Sequence, residues 1–406
     1  MGGGMAWALL PSTLAAGALV LLGLRAHRRR HARHHHPQPA QPSVQTAALE
    51  LIGKTPLIEL RCLSRATGCR ILGKAEFLNP GGSNKDRIAL AIIREAEADG
   101  TLLPGGTIVE ATAGSTGASL ALLCRALGYR CLLVTTDDTS PEKLRLMRAL
   151  GATVEVVKPA AISDPGHTVN VARRRAAELG HGSIFSNQYE NLANMRAHES
   201  GTGVEILEQT GGVLDAFVMG SGTGGTLAGV SRVLKQNNPA VRIVLADPNG
   251  SALFYKIAHG VMYAPQQQER TRKKNRYDTI LEGVGLDRLT ANFERAHIDA
   301  AHRVMDAEAV LMAQILLREE ALFVGGSAAM NCVATVREAR RLGPGKTLVT
   351  LLCDGGHRYL SSIFSEESVA SAHEQMDATG GALKSLQFLM DTGTSVKGNN
   401  LYTLGK

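Results

Sequence analysis

No aspartate or glutamate occurs before Glu50, and no CxxC pair occurs anywhere in the 406 residues. The missing CxxC excludes paired zinc-knuckle and thioredoxin-type frameworks. The six cysteines (62, 69, 124, 131, 332 and 353) lie mostly among apolar neighbours, as in Ala-Leu-Leu-Cys124. They read as reduced, buried thiols, with neither a disulfide framework nor a metal site. The missing acids account for the net charge. Five arginines (25, 28, 29, 30 and 33) sit in the acid-free head, and removing them from the formal +7 leaves +2 for the rest. The basic surplus therefore concerns targeting or a membrane surface, and a nucleic-acid partner is not expected. With 44% apolar and 20% charged residues, the remainder is an ordinary globular chain, long enough for one large or two medium domains.

Charge is also absent from the 20 residues Met5 to Leu24, enough for a helix to cross a bilayer core of ~30 Å. The arginines follow at once, and the positive-inside rule keeps that flank in the cytosol. A cleaved signal peptide would carry its positive charge before the apolar run. A mitochondrial presequence would be amphipathic, whereas this run is apolar all round. The expectation is a single-pass N-terminal transmembrane helix with the catalytic part facing the cytosol, in the mitochondrial outer membrane in preference to the endoplasmic reticulum. His34 to Gln45 is a Pro- and Gln-rich spacer, and its three consecutive histidines read as solvated.

From Leu49 onwards strand-like and helix-like segments alternate. Strands are expected at 70–77, 106–111, 129–135, 153–157, 216–219, 241–246 and 347–352, with helices at 86–99, 119–127, 142–150, 226–236 and 328–342. Continuous apolar strands separated by helices predict parallel sheets covered on both faces. The runs divide into two α/β domains with a cleft between them, 47–190 and 191–365, after an N-terminal segment 1–46 and before a tail 366–406. Residues 263–278 are polar and basic and read as a surface loop, and the tail has no clear pattern.

The chemistry centres on Asn79-Pro-Gly-Gly-Ser-Asn-Lys85-Asp-Arg87. A Pro-Gly-Gly turn leads into an apolar helix, which places Ser83 near its N-terminus and Lys85 in its first turn. The helix dipole disfavours a cation there, so Lys85 has reason to lose its proton and act as an amine nucleophile. A surface lysine paired with Asp86 or Glu95 is the bland alternative. Downstream, Gly220-Ser-Gly222-Thr223-Gly224-Gly225-Thr226 follows a strand and opens a helix, the arrangement of a phosphate cradle. It also matches GxGxxG, with Asp247 near the place of a ribose-binding acid, so a dinucleotide-dependent oxidoreductase stays open. The interleaved threonines suit a terminal phosphate monoester better. A second small-residue loop, Thr112-Ala-Gly114-Ser115-Thr116-Gly117, suits a carboxylate. A monophosphate cradle, a carboxylate cradle and an amine together describe pyridoxal phosphate with an amino-acid substrate.

These motifs, in their order and spacing, resemble the cysteine synthase (O-acetylserine sulfhydrylase) family of fold-type II pyridoxal-phosphate enzymes, of which cystathionine β-synthase is a close relative. Further matches are Ile52-Gly-Lys-Thr-Pro-Leu57, Asn187-Gln-Tyr-Glu-Asn191 with Asn194, Gly201-Thr-Gly-Val-Glu-Ile206 and Gly356-His-Arg-Tyr-Leu-Ser361. The N-terminal run resembles the anchor of a membrane-tethered fungal branch. The resemblance implies two three-layer α/β domains of the tryptophan synthase β type and, by analogy, a homodimer. It implies that Lys85 holds the cofactor covalently and then removes the substrate Cα proton. Gly222, Thr223, Gly224, Gly225 and Thr226 would hold the phosphate, with Gly283 beside the cofactor. Thr112, Gly114, Ser115, Thr116 and Gln188 would receive the substrate carboxylate. The implied reaction makes L-cysteine from O-acetyl-L-serine and sulfide. Cystathionine formation, cysteine desulfhydration and serine deamination share the same carboxylate loop.

Two positions depart from the family. Ser115 stands where an asparagine usually meets the cofactor's ring hydroxyl. Gly355 stands where a serine usually meets the pyridine nitrogen, which leaves Cys353, Asp354 or a water for that role. The departures also motivate a reading from another class, a non-catalytic ligand-binding or scaffold protein, which the retained Lys85 opposes.

Overall fold

The computed structural model describes Met1, residues 48–264 and residues 279–378. The apolar run, its basic flank, the spacer, most of the 263–278 loop and the end of the tail lie outside the described residues. Among those that are described, no helix is long and apolar enough to cross a membrane.

In chain order the first elements are β1 (Leu57–Glu59), α1 (Arg61–Thr67), β2 (Arg70–Ala75), α2 (Lys85–Ala98), β3 (Thr107–Ala111), α3 (Ser115–Leu127), β4 (Arg130–Thr136) and α4 (Pro141–Ala149). Next come β5 (Thr153–Val157), α5 (Thr168–Leu179), β6 (Ile184–Phe185), α6 (Ala193–Ala197), α7 (Gly203–Thr210), β7 (Ala216–Gly220), α8 (Gly225–Asn237) and β8 (Arg242–Pro248). The last are α9 (Leu253–His259), β9 (Ala300–Val304), α10 (Asp306–Glu320), α11 (Gly326–Leu342), β10 (Thr347–Leu352) and α12 (Glu366–Ala378).

The strands form a four-stranded sheet in the order β5-β4-β3-β6 and a six-stranded sheet in the order β1-β2-β10-β7-β8-β9. All neighbours are parallel except β1 and β2. Helices cover both faces of each sheet. On the small sheet, Ile108, Cys131 and Leu133 pack against α2 and α3, while Val109 and Val134 pack against Val171 and Ala172 of α5. On the large one, Val218 and Val244 face α10 and α11, and Phe217, Ile243 and Leu245 face Leu227, Val230 and Leu234 of α8. Strands buried on both faces carry apolar residues at successive positions, which is why no two-residue alternation marks them.

The sheets do not part at residue 190. β1 and β2 leave the N-terminal half and join the large sheet, where β2 pairs in parallel with β10 from Thr347↔Arg70 to Leu352↔Ala75. The expected strand at 70–77 stops at Ala75, where Glu76–Leu78 coils into a 3-10 turn and buries the Glu76 carboxylate. The tail opens with α12, whose Ala372 joins the core.

A buried ionic knot ties β2 to the helix that begins at Lys85. Lys74 of β2 is fully buried and donates to Glu205 Oε2 at 2.6 Å, Thr55 O at 2.6 Å and Gln209 Oε1 at 3.0 Å. Arg87 of α2 donates to Glu205 Oε1 at 2.6 Å and to both Glu76 oxygens at 2.8 Å. Glu205 of α7 therefore closes two cations at once. Burial pushes its carboxyl up, but Arg87 and Lys74 outweigh burial and bring the pKa down from 4.5 to about 2. A folded value below the unfolded one gives stability that is complete above pH 4.5 and is lost as pH falls towards 2. Replacing Glu205 with alanine leaves two buried cations short of a partner. Urea denaturation at neutral pH is expected to show a loss of about 3–5 kcal/mol, shrinking as the pH is lowered through that window; an unchanged midpoint would contradict the role of the knot.

Candidate active site

Lys85 is the first residue of α2, and the loop before it is held from several sides. Gly82 N–H closes the turn on Asn79 O at 2.7 Å, and Asn79 is anchored to Gly53 N–H and to the Glu76 carboxylate. A Cβ on Gly81 would lie 2.2 Å from Asp86 Oδ1, so this turn needs glycine. Asp86 accepts from Gly81 N–H and Ser119 Oγ, and Glu95 pairs with Arg196, so neither carboxylate is spent on Lys85. The lysine Nζ donates instead to Asn84 Oδ1 at 3.1 Å. Asn84 N–H donates to Cys353 O at 3.0 Å, and Ser83 pairs with Asp354 in an isolated antiparallel bridge, docking the lysine beside the end of β10. Enclosure in the wall of the cavity pushes the amine pKa below its ordinary 10.5, with Cys353, Asp354 and Glu76 opposing.

The phosphate-type loop runs from β7 into α8 and is packed too closely for side chains. A Cβ on Gly222 would lie 2.1 Å from Gly283 O, and one on Gly224 (φ +87°) would lie 2.6 Å from the Phe293 backbone. No side chain caps α8 at Gly224, so the first N–H groups of the helix remain available to an anion. Thr223 Oγ1 accepts from Asn194 Nδ2 at 2.8 Å, and Thr226 Oγ1 accepts from Asn84 Nδ2 at 3.2 Å and meets His198 Nε2 at 3.0 Å. Burial holds His198 well below its ordinary pKa, and the nearby Arg87 and Lys85 push the same way. Asn331 of α11, which has no exposed surface, accepts from Gly220 N–H at 2.7 Å and donates to Leu351 O at 3.0 Å. It spans the gap where β7 and β10 part to open the site.

The carboxylate-type loop joins β3 to α3. Gly114 N–H donates to Thr112 Oγ1 at 3.2 Å, and Thr116 Oγ1 donates to Gln188 Oε1 at 2.6 Å. That bond fixes the Gln188 amide so that its N–H donors have no partner among the described residues. Gln188 N–H in turn donates to Glu110 Oε2 at 3.0 Å, and burial pushes the Glu110 carboxyl up to about 7. Ser115 Oγ donates to Asp354 Oδ2 at 3.2 Å and accepts from Arg358 at 2.9 Å.

Both loops and Lys85 line one cavity of about 820 Å³. Thr112, Gly114, Ser115, Thr116, Gln188, Gly222, Thr223, Gly224, Thr226, Gly283, Cys353 and Asp354 are all in its wall. Gly225 is not. Its Cβ would lie 1.9 Å from Asn194 Oδ1, so its glycine answers to packing behind the loop. Asp247 is also absent from the wall; it is fully buried and caps Phe254 N–H at 2.7 Å, which removes the acid that a dinucleotide ribose would need. Gly355 forms a bridge with Val324, and Cys353 and Asp354, the two residues before the family's serine position, are in the cavity wall. Sequence reasoning missed Asn84, Ser327, Lys143, Glu282 and Tyr359 as wall residues, and Asn194, His198 and Asn331 behind the wall. Asn84, Asn194 and Tyr359 lay within motifs already noted; Asn331 and His198 carried no local signal. The six cysteines are free and buried, and the described residues contain no metal-binding cluster.

A glycine-lined cradle at an uncapped helix N-terminus, two threonine hydroxyls and an amine with a depressed pKa fit pyridoxal phosphate. The family model described as pyridoxal-phosphate dependent enzyme matches residues 48–354. The chain is 51% identical over 327 residues to cysteine synthase 2 of Schizosaccharomyces pombe, covering 78% of this chain and 83% of that one. It is 52% identical over 326 residues to cysteine synthase 2 of Neurospora crassa, covering 77% and 72%. A crystal structure of O-ureido-L-serine synthase superposes with a TM-score of 0.70 at 32% identity, covering 81% of this chain and all of the other. From cradle, amine and likeness together, the chain belongs to the pyridoxal-phosphate dependent enzyme family.

Proposed function

We propose that this chain is a cysteine synthase, converting O-acetyl-L-serine and sulfide into L-cysteine and acetate. The observation that carries the reading is an amine of depressed pKa between two anion cradles in one cavity. The chain's 51% identity to a cysteine synthase over most of its length supports that choice of substrates. Pyridoxal phosphate, when bound, supplies the electron sink for charge developing at the substrate Cα. The rest falls to the protein. Gly222, Gly224, Thr223, Thr226 and the first turn of α8 would hold the phosphate, with Gly283 closing over it. The N–H groups opening α3, with Thr112, Thr116 and the Gln188 amide, would hold the substrate carboxylate. Lys85 would hold the cofactor covalently until substrate arrives. Its neutral amine would then take the Cα proton as acetate leaves Cβ, and return it once sulfide has added there. Burial favours the neutral amine, so the form able to accept that proton persists to lower pH than in a solvated lysine.

The charge pattern of the head supports a further part of the reading. We infer that Met5 to Leu24 anchors the enzyme with its catalytic part towards the cytosol, in the mitochondrial outer membrane. The support is 20 uncharged residues followed directly by five arginines. By analogy with the family the enzyme is a homodimer.

Cysteine formation by the purified protein is expected to need both O-acetyl-L-serine and sulfide, and Lys85→Ala is expected to lower it by ~10²-fold or more. Turnover of serine or cysteine in place of O-acetyl-L-serine would reassign the enzyme to a neighbouring β-replacement or elimination. In cell fractions the full chain should resist alkaline carbonate extraction from membranes, and Val20→Asp combined with Leu21→Asp should release it. Recovery of the unaltered chain as a soluble protein would contradict the anchor.

A further inference from the structure

The hydroxyl of Ser115 is held between an aspartate and an arginine that the reaction outlined above leaves unused. A serine hydroxyl has one proton to give and two lone pairs to receive. Here the proton goes to Asp354 Oδ2 at 3.2 Å, and one lone pair receives Arg358 Nη1 at 2.9 Å. Each holding group is itself pinned. Asp354 Oδ2 also accepts from Tyr359 Oη at 2.6 Å, and the residue is 4% exposed. A Cβ on Gly325 would lie 2.2 Å from Asp354 Oδ1 and 2.7 Å from the Tyr359 ring, so only glycine at 325 leaves room for the carboxyl where it stands; its Oδ1 is buried without a hydrogen-bond partner among the described residues. Arg358 also donates to Gly81 O in the turn before Lys85. Ser115 thus faces the cavity with one lone pair and no proton.

What meets that lone pair follows from the covalent structure of the cofactor, and this step rests on the assignment of pyridoxal phosphate above. Its aldehyde carbon is flanked on one side by the phosphate-bearing arm and on the other by the ring hydroxyl. The segment that carries Lys85 is tied to both matching features of the protein. Asn84, which precedes it, reaches Thr226 of the phosphate loop, and Ser83, two residues before it, is paired with Asp354, which holds Ser115, the position where the family's asparagine meets the ring hydroxyl. With the phosphate at one end and the aldehyde at the lysine, the ring hydroxyl falls on the Ser115 side.

We propose that Asp354 and Arg358 clamp Ser115 as a hydrogen-bond acceptor towards the cofactor, so that this enzyme favours the ring hydroxyl in its protonated form. An asparagine at position 115 would do the reverse, because its amide can donate to the deprotonated oxygen. Asp354 and Arg358 act here as positioning residues working through Ser115.

The test is the absorption of the substrate-free holoenzyme at one pH, read as the ratio of the long-wavelength band of the deprotonated form to the short-wavelength band of the protonated form. Ser115→Asn is expected to raise that ratio about fivefold, the equilibrium worth of one hydrogen bond. Asp354→Ala frees the serine proton and should raise the ratio as well, but should have no such effect in a Ser115→Ala background. An unchanged or lowered ratio in Ser115→Asn overturns the clamp, as does an Asp354→Ala effect of equal size with and without the serine. If Asp354→Ala binds no cofactor, Ser115→Asn decides alone. A wild-type protein that takes up no cofactor on Lys85 would instead defeat the cofactor assignment, and the clamp with it.

Discussion

An amine has been taken out of bulk water at Lys85 with no carboxylate in hydrogen-bond contact, and the site is arranged around that fact. Desolvation penalises the ammonium form, and a nearby anion would reverse the penalty. The nearby carboxylates oppose the shift without cancelling it, and each makes its hydrogen bonds to other groups. Asp86 serves the Gly81 N–H and Ser119, Glu76 serves Arg87, and Asp354 serves Tyr359 and Ser115. The lysine is left with the side-chain amide oxygen of Asn84, a neutral acceptor that orients the amine without holding it charged. The ionic knot pairs Glu76 with Arg87, and the remaining pull of Glu76 on the amine is outweighed by burial.

The two cradles arise from the same elementary device used twice. Each is a turn from the C-terminal end of a buried parallel strand into the N-terminus of a helix, β3 into α3 and β7 into α8, and such turns present backbone N–H groups to an anion. One sheet supplies each, so one cavity gathers both anion cradles and the amine. On the proposed reading the β3–α3 loop takes the substrate carboxylate, which all α-amino acids share. Discrimination among β-substituents has to come from the rest of the wall, where Lys143 meets Glu282 and lies over the Tyr359 ring.

Much of this was legible because the signals are local. The lysine turn, both small-residue loops and the buried parallel strands each announce themselves within about ten residues, by glycine, by hydroxyls and by unbroken apolar runs. What stayed hidden depends on distant partners. Nothing near Leu57–Ala75 says that β1 and β2 will cross to the sheet of β10, and so the boundary drawn at residue 190 does not follow the sheets. Gly225 reads like its neighbours in the phosphate loop, but only Asn194, thirty-one positions earlier, explains why it is glycine. Lys74 sits in a strand whose charge looks out of place until Glu205 is set beside it. The polar tail hid α12 because just a few of its residues, such as Ala372, reach the core.

The proposed chemistry requires a covalent bond between the Lys85 amine and a phosphate-bearing aldehyde. Borohydride reduction of the purified protein, followed by peptide mapping, tests it directly. One reduced, phosphopyridoxyl-bearing peptide is expected, modified at Lys85 and at no other lysine. An unmodified Lys85, or a label on Lys74 or Lys143 instead, would contradict it.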